Sequence, residues 1–487
     1  MSPPPPAKAD PIVIVGAGIF GLSTAIHLAL RGYSNVKVFD KQPYDKTLYS
    51  YLDGCDAASA DINKIIRSAY GSQTEYQDLS TEALQAWDAW NTELRRGGTA
   101  VPPGMTPQDA VWVNNGLLSC SDAEVLPEFE RATVDGMEAA GHRGTQLIND
   151  NPDHLRLAAT KGMAPAMNPF SKKALGVLDT TGGIAVADKA CRFALHKARS
   201  LGVSFVLDPV AGQMTSTTMD ESGRVITGIT TADGRTHPAT MTIIACGGWT
   251  PALVPSLDGL AETTAGSVVI LRIPEASPLR RRFDPSRFPS WTFKIRDGAA
   301  GGLYGFPVDD RGHLKIGYRG TKYTNPRVQA DGRERSVPVT RWSGEGEREG
   351  DRLREIPAQA LEVIRGFLDE YLPELGAEGI GVWLTRVCWY TDSFDNHFVI
   401  DRVPGKEGLM VATAGSGHAF KYLPNIGGWV VDIMEGVSLD RPAVKAWRWR
   451  SLAEGQTPAN KLMEGAAGPR ALNNVPLVAA DAPKTKL

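Results

Sequence analysis

Three glycines at fixed spacing supply the first chemistry in this sequence. Gly16-Ala17-Gly18-Ile19-Phe20-Gly21 follows the β-branched run Ile12–Val15 and leads into Leu22–Arg31, where Leu22, Ala25, Ile26 and Leu30 recur at helical spacing. In such a loop Gly16 allows the tight turn, Gly18 lets the backbone approach a pyrophosphate, and Gly21 lets helix and strand pack closely; Ile19 and Phe20 belong to the loop at the cofactor, and the N-terminus of the following helix faces the anion. A second run, Val36-Lys37-Val38-Phe39, ends in Asp40, which is placed to accept from ribose hydroxyls. Lys41 beside it is not the arginine pair that would invite a 2′-phosphate. A glycine loop by itself is often only a turn. Strand, G-x-G-x-x-G, helix, strand and acid in one unit predict a dinucleotide site, without separating FAD from NAD.

Other groups read two ways from the residues alone. Cys388, in a strand-like Val-Cys-Trp-Tyr run, is a small buried hydrophobe or a nucleophile. Lys315, between Leu314 and Ile316, is a solvated cation on the open face of a strand or a charge aimed at a ligand. Two later segments repeat the strand-to-glycine-turn architecture: Thr242–Ala245 into Cys246-Gly247-Gly248, and Gly408–Ala414 into Gly415-Ser416-Gly417-His418, the latter followed by a helix from Ile426. They predict a nucleotide domain assembled from distant parts of the chain.

The elements that must position these groups belong to a large globular protein. At 487 residues the chain has two or three domains' worth of core. Hydrophobic residues make up 42% and charged residues 22%, which excludes a disordered or collagen-like chain. With 52 Lys and Arg against 55 Asp and Glu there is no basic field to attract nucleic acid. The five cysteines are scattered with no C-x-x-C pair, so neither a metal site nor a disulfide framework is expected, and a reducing compartment fits best. The uncharged stretch Pro11–Leu30 has three glycines and a Pro-run upstream flank, and reads as two short elements rather than a membrane span or signal peptide.

Four blocks give the sequence a resemblance that covers nearly the whole chain: GAGIFG with Asp40; Asp61-Ile62-Asn63-Lys64-Ile65-Ile66-Arg67 with Ala69-Tyr70; Tyr304–Pro307 with Leu314–Tyr318; and Arg386–Tyr390 through Asn396–Asp401 to Gly415–Lys421. In these blocks it resembles the flavin-dependent amine oxidases that include monomeric sarcosine oxidase, pipecolate and saccharopine oxidases, and the fungal fructosyl-amino-acid oxidases, or amadoriases. The resemblance implies FAD joined covalently through Cys388, with Arg386 able to lower the thiol pKa if it points the same way. It implies that Lys315 lies over the flavin, where a fixed ammonium supports reaction with oxygen. Asp61 and Lys64 would sit near the isoalloxazine ring. Arg67 and Lys421 match the pair that holds the substrate carboxylate, Lys421 also bordering the cofactor, and Tyr304 and Tyr390 match pocket tyrosines. As isolated residues Lys64 is a helix-surface charge and the tyrosines are core residues.

The departures matter too. Amadoriases carry a glutamate four residues after the oxygen-activating lysine and no lysine at the place of Lys421, while sarcosine oxidase has histidine at the former place. Arg319 stands there, on the same strand face as Lys315. It suggests a second acidic or polar substrate group and weakens the fructosyl-amine reading; otherwise it pairs with Asp309 or Asp310.

The expected fold is α/β: a Rossmann-like FAD-binding domain from 1–95, 180–255 and 383–440, a mixed-sheet α+β substrate domain from 96–179 and 256–382, and a C-terminal extension, 441–487. Thr321–Asp351 reads as a solvated loop or partly ordered insertion, and Met1–Pro6 and the tail after Pro458 as peripheral. The expected activity is oxidation of the C–N bond of an N-substituted amino acid to an imine, with O2 giving H2O2. The substrate would be saccharopine, pipecolate, an N-methyl amino acid, or an aromatic N-methyl amino acid whose imine cyclises in fungal alkaloid synthesis. The alternatives are a fructosyl amino acid oxidase and a dinucleotide-dependent dehydrogenase that does not use oxygen. A monomer acting on small molecules is expected, with no nucleic acid, membrane or metal. It would be cytoplasmic, or peroxisomal if Lys484–Leu487, with Thr at the wrong place for S-K-L, serves as an address.

Overall fold

Ile12–Val15 (β1) has no polar face to offer water, and all four residues are buried inside a six-stranded sheet. In the computed structural model, which describes residues 4–71, 73–340 and 353–480, that sheet runs Val399–Arg402, Leu409–Thr413, Met241–Ile244, β1, Val36–Asp40 (β2), Ser204–Leu207. All neighbours are parallel except the first pair. The two distant strand-to-glycine segments therefore lie beside β1, as a domain built from separate parts of the chain requires. Ile19–Leu30 (α1) crosses Ile426–Glu435 so closely that a side chain on Gly427 would stand 2.0 Å from the carbonyl oxygen of Ser23.

An eight-stranded mixed sheet forms the second layer. Its order is Val382–Ser393, Ala261–Arg272, His313–Tyr323, Leu303–Gly305, Ser290–Phe293, Leu117–Ser121, Leu175–Asp179, Gln146–Ile148. The third expected nucleotide segment, 383–440, thus begins inside a strand hydrogen-bonded along its length to Ala261–Arg272 in this larger sheet. Asn63–Ile66 (β3) forms a smaller sheet with Gly183–Val186 and Trp112–Val113, and carries the Asp61–Arg67 block as a strand, not the helix surface considered for Lys64.

Two further expectations change. The described part of Thr321–Asp351 includes a hairpin, Pro326–Val328 against Glu334–Ser336, pinned by the buried Arg335 guanidinium between Asp258 at 2.7 Å and Asp331 at 2.8 Å. Residues 341–352 lie outside the described residues. The tail after Pro458 is not peripheral: Asn460 donates to the Ser393 carbonyl at 2.6 Å, Leu472 joins the core under the large sheet, and Leu477–Ala479 pairs with Glu355–Pro357. The apolar side chains in this segment explain the docking; its glycines and prolines masked them. Met1–Pro3 and the Lys484–Leu487 address lie outside the described residues.

Candidate active site

The glycine loop forms one wall of a long cavity. Gly16 adopts φ +106°, and a side chain there would lie 2.3 Å from the Ala245 carbonyl oxygen, so turn and close approach both exclude any other residue. Gly21 packs its Cα against Gly16 itself. Gly18 differs: the nearest heavy atom to an added Cβ is Ser59 Oγ at 3.7 Å, which leaves space for a ligand in front of the backbone. Asp40 ends β2 facing the same cavity and accepts from the Ala17 and Gln42 amides at 2.7 and 2.8 Å, one on each oxygen. Each oxygen keeps a lone pair for a further donor. Ile19, Phe20 and Lys41 also line the cavity, and the Lys41 ammonium stands 4.5 Å over the Trp249 ring.

Farther along, the cavity is lined by Lys64, Cys388, Tyr390, Gly415 and Gly417. Ser59 Oγ and Thr413 Oγ1 border it as buried hydroxyls without a hydrogen-bond partner among the described residues. Open space before Gly18, a carboxylate at the strand end and unpartnered hydroxyls suit a dinucleotide that brings its own donors and acceptors. Gly21, Asp61 and Lys421 stand behind the cavity wall.

Beneath the Lys64 end, Asp61 is almost completely buried among three cations. Its Oδ2 lies 2.8 Å from both Lys64 Nζ and Lys315 Nζ, and its Oδ1 is 3.0 Å from Arg386. Lys315 also donates to the Asn63 carbonyl at 2.5 Å. Lys315 is wholly buried rather than solvated: its strand is covered on both faces, and Asp61 supplies the partner that water would have supplied. Burial draws the Lys315 ammonium down to about 7, against the pull of Asp61. Burial acts the opposite way on the Asp61 carboxyl, but the three cations hold it far below the usual range. Arg386 shares a strand face with Cys388 and its charge reaches that sulfur, although its guanidinium is tied to Asp61.

A second cluster lies around Tyr70. Lys421 is 3% exposed and donates to the Tyr70 hydroxyl, while the Arg67 guanidinium sits 4.5 Å from the Tyr70 ring centroid. Among the described residues neither cation is paired with a carboxylate. Burial, then the charge of Arg67, presses Lys421 well below its ordinary value.

Arg319 joins neither cluster. Its Nε donates to Tyr390 Oη at 3.0 Å and its Nη2 lies 3.4 Å from Asp392, which also binds Lys322 at 3.1 Å. It does not pair with Asp309 or Asp310, which are engaged by His313 and Lys189. Its guanidinium covers Gly417, where a Cβ would stand 1.6 Å from Nη1, and Gly417 has φ +69°. Tyr304 approaches the same region from the neighbouring strand, burial pushing its phenol upward with Cys388, Asp61 and Arg319 in electrostatic reach. No motif or spacing in the sequence singles out Asp392 and Lys322, or the contact made by Tyr70 inside a motif already noted.

This arrangement has known relatives. A model of the family described as FAD dependent oxidoreductase matches residues 11–433. The chain belongs to that family. Among curated relatives it is 27% identical to the L-saccharopine oxidase of Schizosaccharomyces pombe over 90% of this chain and 93% of the relative. It is 23% identical to the N-methyl-L-tryptophan oxidase of Salmonella heidelberg over 87% and 94%. Of solved structures, the deglycating fructosamine oxidase (Amadoriase II) of Aspergillus fumigatus superposes with a TM-score of 0.69 at 25% identity, covering 91% and 90% of the two chains. This FAD-dependent oxidoreductase thus has the α/β fold of the amine oxidases, and the open choice between FAD and NAD falls to FAD. Among its described residues no helix is long and apolar enough to cross a membrane.

Proposed function

We propose that this FAD-dependent oxidoreductase is an oxidase of secondary-amine amino acids, converting the C–N bond of an N-substituted amino acid to an imine with O2 reduced to H2O2. The observation that carries the reading is the pair of cations at Tyr70 with no carboxylate among the described residues to neutralise them. A guanidinium fork and an ammonium together match one substrate carboxylate; Lys421 is buried and Arg67 half-buried, which leaves that anion as the natural partner. The two relatives named for saccharopine and N-methyl-L-tryptophan support it, since each of those compounds joins a secondary amine to an α-carboxylate.

FAD, when bound, supplies the hydride acceptor and hands the electrons to oxygen. The chain's own residues do the rest. Arg67 and Lys421 orient the substrate by its carboxylate, and the dry surroundings favour the neutral amine, whose lone pair must be free. Tyr304 and Tyr390 bound the space where the N-substituent lies. Lys315 holds a preorganised positive charge for the negative charge that develops on oxygen, Asp61 fixes that lysine, and Lys64, held by the same carboxylate, borders the ring system. Cys388 is the covalent attachment point. The nucleotide unit consists of 1–95, 180–255 and the part of 383–440 beyond the shared strand Val382–Ser393.

The test is a peroxide assay on a panel of N-methyl, cyclic and N-carboxyalkyl amino acids beside their methyl esters. H2O2 is expected from the acids and hardly at all from the esters; equal turnover of the esters removes the carboxylate clamp.

A further inference from the structure

The hydroxyl network behind Lys421 has only one consistent direction. Ser80 Oγ donates to the Tyr76 carbonyl at 2.8 Å, so its 2.9 Å contact with Tyr422 Oη must be donated by Tyr422. Tyr422 has then spent its hydrogen, and the 2.7 Å contact between Tyr70 and Tyr422 must be donated by Tyr70. His418 competes for that one hydrogen: its Nε2 lies 3.0 Å from the Asn396 carbonyl, which can only accept, so Nδ1 is bare, and its longer 3.2 Å contact with Tyr70 is the weaker branch of the donation to Tyr422. The Tyr70 oxygen is therefore an acceptor on its other side, where Lys421 Nζ stands and where the Arg67 guanidinium is within reach.

From this geometry we infer that Tyr70 is the positioning residue of the carboxylate clamp: its oxygen holds the Lys421 ammonium and its ring seats the Arg67 guanidinium, so that one aromatic residue places both cations. The inference rests on the clamp reading of the proposed function and adds the residue that sets the clamp. A chain of donors running from Lys421 through Tyr70 and Tyr422 to Ser80 polarises each member in turn and favours the charged lysine. Burial and Arg67 oppose that form; the other groups facing the ammonium are Tyr422, whose ring centroid is 5.0 Å away, and His418, which burial keeps neutral. Tyr70 is thus the group that favours the charged lysine against burial and Arg67.

The experiment uses the flavin-loaded enzyme and acetate as the carboxylate probe, with acetamide as the neutral control, following the visible flavin spectrum across a pH series. In the wild type acetate affinity should fall as pH rises through the lowered Lys421 pKa, because the ammonium is lost. Tyr70→Phe keeps the ring and removes the acceptor. It should weaken acetate about tenfold, the scale of one hydrogen bond to a charged group. It should also move the fall in affinity to lower pH, with acetamide and flavin content unchanged. Tyr422→Phe should shift both in the same direction by less. Unchanged acetate affinity and pH dependence in Tyr70→Phe would overturn the inference, as would equal loss of acetamide. Lys421→Met separates the two claims: acetate binding that survives this change, or is absent from the wild type, brings down the clamp reading itself.

Discussion

Two clusters of cations in this molecule differ in one respect, the presence of an acid. Around Asp61, Lys64, Lys315 and Arg386 share a carboxylate supplied by the chain. Around Tyr70, Arg67 and Lys421 share a phenol and, among the described residues, no carboxylate. The first arrangement is complete within the protein and serves to fix its members; the second is complete only when an anion enters. A buried cation whose counter-charge is internal is part of the scaffold, whereas one whose partner is neutral marks a place for a ligand.

The sharpest way to break this contrast is to remove the internal acid. Asp61→Asn leaves three buried cations without a carboxylate and should cost about 3–5 kcal/mol of stability, seen as a lowered thermal midpoint and loss of bound flavin. Lys421→Met, which removes an uncompensated charge, should leave the midpoint unchanged or raise it. Equal destabilisation by both would erase the distinction.

Within the Asp61 cluster, Lys315→Met should leave anaerobic flavin reduction by substrate nearly normal while slowing reoxidation, a loss on the order of 2.7–4 kcal/mol by analogy with removing one oxyanion donor. Stopped-flow traces separate the two half-reactions. The pH dependence follows from the same lysine. Its folded pKa, about 7, lies below its ordinary value of 10.5, so the ammonium is present below that pH and lost above it. Reoxidation should slow as pH rises through about 7 in the wild type and stay flat in the Met variant. Failed reduction with normal reoxidation would instead make Lys315 a substrate residue.

Two smaller effects sharpen the boundaries. Cys388→Ala should yield folded protein whose flavin is released on acid precipitation, leaving a colourless pellet; a yellow pellet places the covalent bond elsewhere. Arg319→Ala tests the second acidic group suggested by its charge. Because Asp392 and Tyr390 already engage Arg319, the loss should be small and equal for N-carboxyalkyl diacids and N-methyl amino acids. A much greater loss on the diacids would assign Arg319 to the substrate.

How far the sequence could reveal these regions depends on distance along the chain. The β1–α1–β2 unit and Asp40 were legible because their geometry is local. Lys315 and Asp61 are 254 positions apart, and their meeting follows from the packing of β3 against the large sheet, which no periodicity encodes. Lys315 had the spacing of a solvated strand cation, and only a family resemblance singled it out. Tyr70 lay within a motif already noted, but its task depends on hydrogen bonds to Tyr422 and His418, which arrive from the far end of the chain. The buried tail at Leu472 was hidden for another reason: a few apolar residues among glycines and prolines show neither a period of two nor one of 3.6.

The central claim is that the Tyr70 cluster waits for a substrate carboxylate. Anaerobic stopped-flow reduction of the flavin by an N-methyl amino acid turned over in the peroxide panel, beside its methyl ester, tests this most directly. The ester leaves the buried Lys421 and the half-buried Arg67 unpaired, a penalty on the order of several kcal/mol. The account predicts rapid bleaching with the acid and a rate at least about a hundredfold lower with the ester at equal concentration. Equal rates would contradict it.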